Sequence, residues 1–425
     1  MNIESIYNLF LRHPSVETDS RKLAKNDIFF ALKGPSFNGN LFAKEAIEKG
    51  AAYAIVDEKE FADDDRIFFV DDVLKTLQDL AKHHRKQFSI PFIAITGSNG
   101  KTTTKELIHA VLSSTFRTYT TKGNLNNHIG IPITILQVKK DAEMAVIEMG
   151  ANHQKEIEGY CEYTMPTHGL ITNVGKAHLE GFGGEEGVRK GKGELFDYLR
   201  KSGGSAFIMA DYDYLSDMSK GIREIIRYGS SNSDYTGKIL ESSPFLKIMV
   251  KKGADIPEQK TQLVGLYNFP NVLAAIAVGK HFGVADEKIK VAIADYAPSN
   301  SRSQLMEWMG NRVILDAYNA NPSSMKLAIE NFAALNGSEK ILLLGGMAEL
   351  GSESLSEHES IVKSIQQHKW KEVVLVGGDF MKIDHPFKKF KSSSEAAAWL
   401  RDQKLKDAYL LVKGSRSMQM EKVLE

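Results

Sequence analysis

Strand-length apolar runs alternate with stretches whose apolar residues recur every three or four positions, and this rhythm continues along most of the chain. In residues 1 to about 88, DIFFALKG (27–34), AAYAIVD (51–57) and RIFFVDD (66–72) predict strands. FAKEAIEKG (42–50) and VLKTLQDLAKHHRKQF (73–88) predict helices, the second ending before Pro91, a hinge position. His83 and His84 are adjacent on that helix and point in different directions, so solvated side chains are expected there rather than metal ligands. From residue 89 the strand runs SIPFIAITG, AVIEMG (145–150), HGLITNVG (168–175) and SAFIMA (205–210) are separated by helical patterns, beginning with KELIHAVLSS. Short strands without helices around 225–265 suggest an antiparallel flank, and FPNVLAAIAVGKHFG (269–283) and ADEKIKVAIADY (285–296) follow as helices.

The polar, turn-prone PSNSRSQ (298–304) reads as a linker, after which the rhythm restarts. Strands are expected at 312–319, 340–346, 371–378 and 408–414, with helices at 323–335, 357–369 and 394–403. The βαβα order argues for mainly parallel, doubly wound sheets. The fold class is therefore α/β in three domains, 1–88, 89–300 and 301–425, the last Rossmann-like in order. A chain of 425 residues is too long for one ordinary core, which agrees with that division.

Composition narrows the function classes. Lysine plus arginine equals aspartate plus glutamate at 54 each, so no global basic field exists for nucleic acid or an anionic membrane. Cys161 is the only cysteine, which excludes an internal disulfide framework and fits a reducing compartment. The opening MNIESIYNLF lacks a signal-peptide pattern, and no apolar run approaches the roughly 20 residues that span a bilayer. A soluble, cytoplasmic monomer is expected.

The sharpest chemistry sits at 96–104, TGSNGKTTT, between a β-rich run and a helix. Glycines let backbone N–H groups turn inward around phosphate oxygens at a positive helix end. Thr96, Gly97, Ser98, Asn99, Gly100 and Thr103 would form this cradle, with Lys101 reaching the β/γ-phosphates and Thr102 binding Mg²⁺. Gly97 precedes Gly100 by three positions, shorter than the general phosphate-loop spacing, and the loop alone leaves the class of nucleotide enzyme open.

That shorter loop resembles the one in the Mur ligases, amide-bond ligases of peptidoglycan synthesis, and in their relatives the folylpolyglutamate synthases. Seven further motifs that carry the resemblance follow in order: KGNLNNHIGIP (122–132), VIEMGANHQKEI (146–157), ITNVGKAHLEGFG (171–183), KGKGELF (190–196), GLYNFPNVLAA (265–275), DAYNANP (316–322) and GGMAELG (345–351). VKGSRSM (412–418) closes the series. GNLNNHIG, EMGANH, AHLEGFG and MAELG look like the member that joins D-alanyl-D-alanine to UDP-N-acetylmuramoyl-tripeptide. The resemblance implies an N-terminal UDP-sugar-binding domain, a central ATPase and a C-terminal domain that takes the dipeptide.

It also implies roles. ATP would activate the tripeptide carboxylate as an acyl phosphate, which the dipeptide amine attacks, so cations and positioned donors matter more than a protein nucleophile. Glu148 and His178 would bind Mg²⁺, two ions in all, together with Thr102. Lys192 would do so as a CO₂-derived carbamate, although Gly191 stands where the family has alanine and Lys190 lies two residues away. Asn268 and Asn271 would lie near the nucleotide, with Tyr267 in place of a usual histidine; helix capping is the simpler reading of these asparagines. Arg302 would close on the γ-phosphate, with Ser301 in place of a glycine, and Asp316 would contact the ribose with Asn319 and Asn321 nearby.

Ser20, Arg21, Phe37 and Asn38 are candidates for the uridine nucleotide, with ordinary strand and turn chemistry as the alternative. Met347, Ala348, Glu349 and Leu350, with Lys413, Gly414, Ser415 and Arg416, are candidates for the dipeptide, although Gly346 replaces a usual acid. Rival readings are another Mur or folylpolyglutamate-type ligase, or a phosphate-loop regulatory protein that has lost catalysis.

Overall fold

The computed structural model describes residues 2–299, 301–337 and 339–425, whose strands form three successive sheets and one small hairpin. The first sheet places Val16–Glu17, Ile28–Phe30, Tyr53–Val56 and Ile67–Phe69 side by side, all parallel. The run 27–34 is not one strand. It ends at Phe30, and Lys33–Gly34 pairs back on Phe37–Asn38. Gly39 forces the return, because a Cβ there would lie 2.4 Å from the Leu32 carbonyl oxygen.

Asp72 caps the helix Val73–Arg85 by accepting from the Lys75 N–H at 2.8 Å. Its buried stripe includes Leu77, Leu80, Ala81 and His84, so the expectation of a solvated His84 is corrected. That ring bonds Tyr7 Oη at 3.1 Å and the Val138 carbonyl at 2.8 Å, and burial pushes its pKa below the usual value. The spacing 77, 80, 81, 84 was the available signal, since the histidine falls on the apolar face. Arg85 is buried beside it and donates to the carbonyls of Thr164, Met165 and Phe88, which fastens this helix to the C-terminal end of Glu156–Thr164.

The central sheet has nine strands. Its middle is Phe92–Thr96, flanked by Met144–Glu148 and His168–Ile171 and parallel to both. All five residues of Phe92–Thr96 are buried, as expected for a strand covered on both faces. The antiparallel flank lies at one edge, where Lys247–Lys252 pairs with Tyr235–Glu241 and with Gln259–Lys260. On one face the helix Phe269–His281 packs tightly on Lys101–Ser113, since a Cβ at Gly279 would meet Val111 Cγ1 at 2.5 Å.

The third sheet runs 304–308, 311–316, 409–413, 340–345, 372–376 and 388–390, parallel except for its first pair. That first strand, Gln304–Trp308, begins inside the segment read as linker. Its hairpin turns on Met309 and Gly310, both with positive φ (47° and 73°), and methionine gives no turn signal in sequence. No helix among the described residues is long and apolar enough to cross a membrane.

Candidate active site

The strand Phe92–Thr96 delivers the phosphate loop at the carboxyl edge of the central sheet, and the helix Lys101–Ser113 leaves from it. Gly97 is required because a Cβ would sit 2.0 Å from Thr172 Oγ1. Gly100 holds a left-handed φ of 79° against the Asn271 amide and occupies the N-cap position, so no side chain caps the helix. The first-turn N–H groups and the helix dipole therefore face the loop. Neighbouring strands clamp the rest: Ser98 Oγ bonds the backbone of Gly175, Thr96 Oγ1 donates to the Met149 carbonyl, and Asn173 brackets Asn99. Lys101 curls back so that Nζ donates to the Gly97 carbonyl at 2.7 Å, and desolvation holds its pKa below the usual lysine value. Thr103 lies in the same first helical turn.

Glu148 ends the adjacent strand and is 1% exposed. Its Oε1 accepts from Thr102 Oγ1 at 3.2 Å and Asn126 Nδ2 at 2.7 Å, while Oε2 is buried with no hydrogen-bond partner. An orphaned carboxylate oxygen beside a hydroxyl fits a hard divalent cation. No group of three or more His, Cys, Asp or Glu gathers among the described residues, and Mg²⁺ needs none when phosphate and water supply its other ligands.

His178 stands at φ 53°, and its Nδ1 lies 2.5 Å from Glu349 Oε2 across from the third sheet, an ion-pair approach that holds the Glu349 carboxyl below the usual range. Lys192 is fully buried in the helix Glu185–Ser202, donates to the Ala151 carbonyl at 3.0 Å and lies 4.8 Å over the Phe182 ring. Burial, with Lys101 nearby, pushes its pKa well below the ordinary value. A buried amine whose charged form is disfavoured suits reaction with CO₂.

Asn268 holds the N-cap position of its helix but does not cap with its side chain, which corrects that simpler reading. Its amide donates to the Val264 carbonyl and its oxygen accepts from Asn271, whose own oxygen accepts from Thr104. Asn321 does cap a helix, Pro322–Ala334, and also donates to Asn99 Oδ1. Arg302 stacks 3.7 Å over the Tyr318 ring. Asp316 accepts from the Ser303 N–H and pairs with Lys413 at 2.5 Å, while exposed Asn319 bonds the Ala320 N–H. Lys413 is thus buried and paired with a carboxylate of its own sheet. Ser415 Oγ donates to the Gly346 carbonyl and lies 3.1 Å from Ser417 Oγ, and Met347 is buried. Arg416 stays exposed near Tyr318 and Glu421.

The uridine candidates lie apart from this cluster, on the first sheet's side. Arg21 pairs with Asp19, Ser20 receives Lys49 on its carbonyl, Asn38 bonds Glu58, and Phe37 is 55% exposed. Sequence reasoning did not single out Asn126, Phe182 or Tyr318, although each lies inside a quoted motif. It also missed the bridge from Lys176 to Glu357 at 2.6 Å between the central and C-terminal parts.

Three family descriptions match successive stretches: the Mur ligase family catalytic domain at 14–85, the Mur ligase middle domain at 95–279, and the Mur ligase glutamate ligase domain at 301–416. The chain is 33% identical to the UDP-N-acetylmuramoyl-tripeptide–D-alanyl-D-alanine ligase of Bacillus subtilis and 34% identical to that of Escherichia coli. Each comparison covers 96% of this chain and 92% of the relative. The crystal structure of MurF ligase from Thermotoga maritima in complex with ADP superposes with a TM-score of 0.88 at 27% identity, covering 97% of both chains.

Proposed function

The chain belongs to the Mur ligase family, and on that premise we propose how it joins D-alanyl-D-alanine to UDP-N-acetylmuramoyl-tripeptide in an ATP-dependent, ADP-forming reaction of peptidoglycan precursor synthesis. Residues 1–88 hold the UDP-substrate through Ser20, Arg21, Phe37 and Asn38. Residues 89–300 hold ATP, and residues 301–425 present the dipeptide. On this reading the chain acts as a cytoplasmic monomer.

The observation that carries this reading is the uncapped helix start at Lys101 with the orphaned Glu148 Oε2 beside Thr102. An uncapped N-terminus binds phosphate oxygens. Lys101, released from the Gly97 carbonyl, and Arg302 then offset the charge that spreads over the transferring phosphoryl group. Thr102, Glu148, His178 and a carbamylated Lys192 are the residues that would hold Mg²⁺, which when bound neutralises phosphate charge and aligns the substrate carboxylate. Carbamylation forms a C–N bond from the Nζ lone pair of the uncharged amine to CO₂ and releases one proton, so a neutral buried amine becomes an anion. The tripeptide carboxylate oxygen takes the γ-phosphoryl group as ADP leaves. The dipeptide amine then forms the amide bond, loses a proton and expels phosphate. Asp316, Asn319 and Asn321 border the nucleotide, while Glu349 and Arg416 border the dipeptide.

The deciding assay is phosphate release from ATP with UDP-N-acetylmuramoyl-tripeptide, with and without D-alanyl-D-alanine. Release should require both acceptor and dipeptide. Release that ignores the dipeptide but follows free amino acids or folates would overturn the substrate assignment, and no release with any acceptor would favour a regulatory protein.

A further inference from the structure

Glu148 is held by more than its strand. Its backbone N–H donates to Thr121 Oγ1 at 3.0 Å, and the Thr121 carbonyl accepts from the buried Lys105 ammonium at 2.7 Å. Its Oε1 takes two donors, Thr102 and Asn126, the Asn126 bond being the shorter at 2.7 Å. Gly150 makes room for Asn126: a Cβ there would lie 3.0 Å from the Asn126 amide, and the Gly150 N–H donates to the Asn126 carbonyl at 2.8 Å. Gly130 folds the rest of that loop back, since a Cβ would lie 2.4 Å from Leu125 Cα. Two close glycines thus aim one amide at one carboxylate oxygen.

We propose that Asn126 is a positioning residue for Glu148, pinning Oε1 so that Oε2 alone faces the divalent cation. The proposal rests on the metal role assigned to Glu148 above. A carboxylate with one oxygen bonded to a rigid donor cannot rotate to chelate through both oxygens. It presents a single hard ligand, the mode that suits Mg²⁺ with its small shell and retained waters. Partners that orient a metal ligand typically contribute about 10- to 100-fold in metal affinity. Thr102 is the weaker anchor, because its bond to Oε1 is the longer of the two at 3.2 Å and its hydroxyl is itself a candidate ligand.

The test is Mn²⁺ binding to the full chain with saturating ADP, read as loss of the free-ion EPR signal. Asn126→Ala and Asn126→Leu should each weaken Mn²⁺ binding by roughly 10- to 100-fold, while ADP binding in EDTA and the EDTA melting temperature stay near wild type. In a Glu148→Gln background, Asn126→Ala should add no further loss, because its effect runs through that carboxylate. If leucine disturbs the loop, the alanine variant decides, since water can fill its gap. Wild-type Mn²⁺ affinity in a folded variant overturns the proposal, as does equal loss of ADP binding in EDTA. Failure of the unmodified chain to bind Mn²⁺ would instead overturn the metal reading itself.

Discussion

Asn321 donates its side-chain amide to Asn99 Oδ1 at 2.7 Å, so the helix that opens the C-terminal unit touches the tip of the phosphate loop. The same residue caps its helix by accepting from the Ser324 N–H at 2.9 Å, within a capping box. Two residues on, Ser323 Oγ accepts from the Lys176 N–H, and Lys176 reaches Glu357. The C-terminal unit and the 96–104 loop are thus joined by direct side-chain contacts.

Serine at 321 separates the two roles, since it caps nearly as well as asparagine but is too short to reach Asn99. Asn321→Ser should leave unfolding free energy within a few tenths of a kcal/mol and lower kcat/KM for ATP roughly 2- to 10-fold, the worth of one hydrogen bond. Asn321→Ala should lose about 1 kcal/mol of stability as well. Urea titrations beside steady-state kinetics separate the outcomes, and an unchanged kcat/KM in the serine variant would make the contact passive.

Among the described residues Lys192 forms no ion pair; its Nζ donates to the Ala151 carbonyl and lies over the Phe182 ring. Lys192→Ala should abolish turnover, and small carboxylates such as acetate should restore part of it by standing in for a carbamate. A labelled-bicarbonate NMR resonance should appear in the unmodified chain and vanish in the variant. Full activity without rescue would defeat the carbamate role.

Gly191 departs from the family alanine for a visible reason: a Cβ there would meet Phe182 Cε1 at 2.4 Å. Gly191→Ala should gain about 1 kcal/mol of helix propensity but lose about 1–3 kcal/mol by overpacking, and it should push the ring off Lys192. Combined with Phe182→Leu, the alanine should cost much less, a coupling that a double-mutant cycle in denaturant measures. Additive losses would show that the ring simply moves aside.

Much of this was readable before any coordinates. Apolar runs marked the strands Phe92–Thr96, Met144–Glu148 and His168–Ile171 because both faces of a parallel sheet are covered. What escaped depends on tertiary placement. Asn126 and Glu148 are 22 positions apart in sequence, and nothing local states that one amide points at one oxygen. Lys413 reads as a free cation until the adjacent strand brings Asp316 against it. Of the other two departures, Gly346 has a steric cause: a Cβ there would lie 2.8 Å from Gly378 Cα, so two backbones meet where a larger residue was expected. Ser301 holds φ 56°, where glycine would be free of strain, and nothing in the structure explains the serine there.

Away from the site, His168 begins a central strand with its ring against Phe282, His281 and Phe207, and its Nδ1 bonds Thr167 Oγ1 at 2.9 Å. Burial, helped by the neighbouring His281 and opposed by Glu224, lowers its pKa to about 4. An unfolded histidine takes up its proton below about 6.5, whereas the folded ring resists until about 4. The unfolded state thus binds more protons inside that window, so stability is full above it and falls as the pH drops through it. From pH 7 to pH 5 this group alone should remove roughly 2 kcal/mol. His84 and His358 are lowered too and add to the slope. His168→Phe keeps an aromatic ring in the cluster and should subtract only the His168 share, flattening the dependence between pH 7 and pH 5. Urea unfolding of both proteins at the two pH values checks this, and equal slopes would mean that the ring is protonated in the folded chain as easily as in the unfolded one.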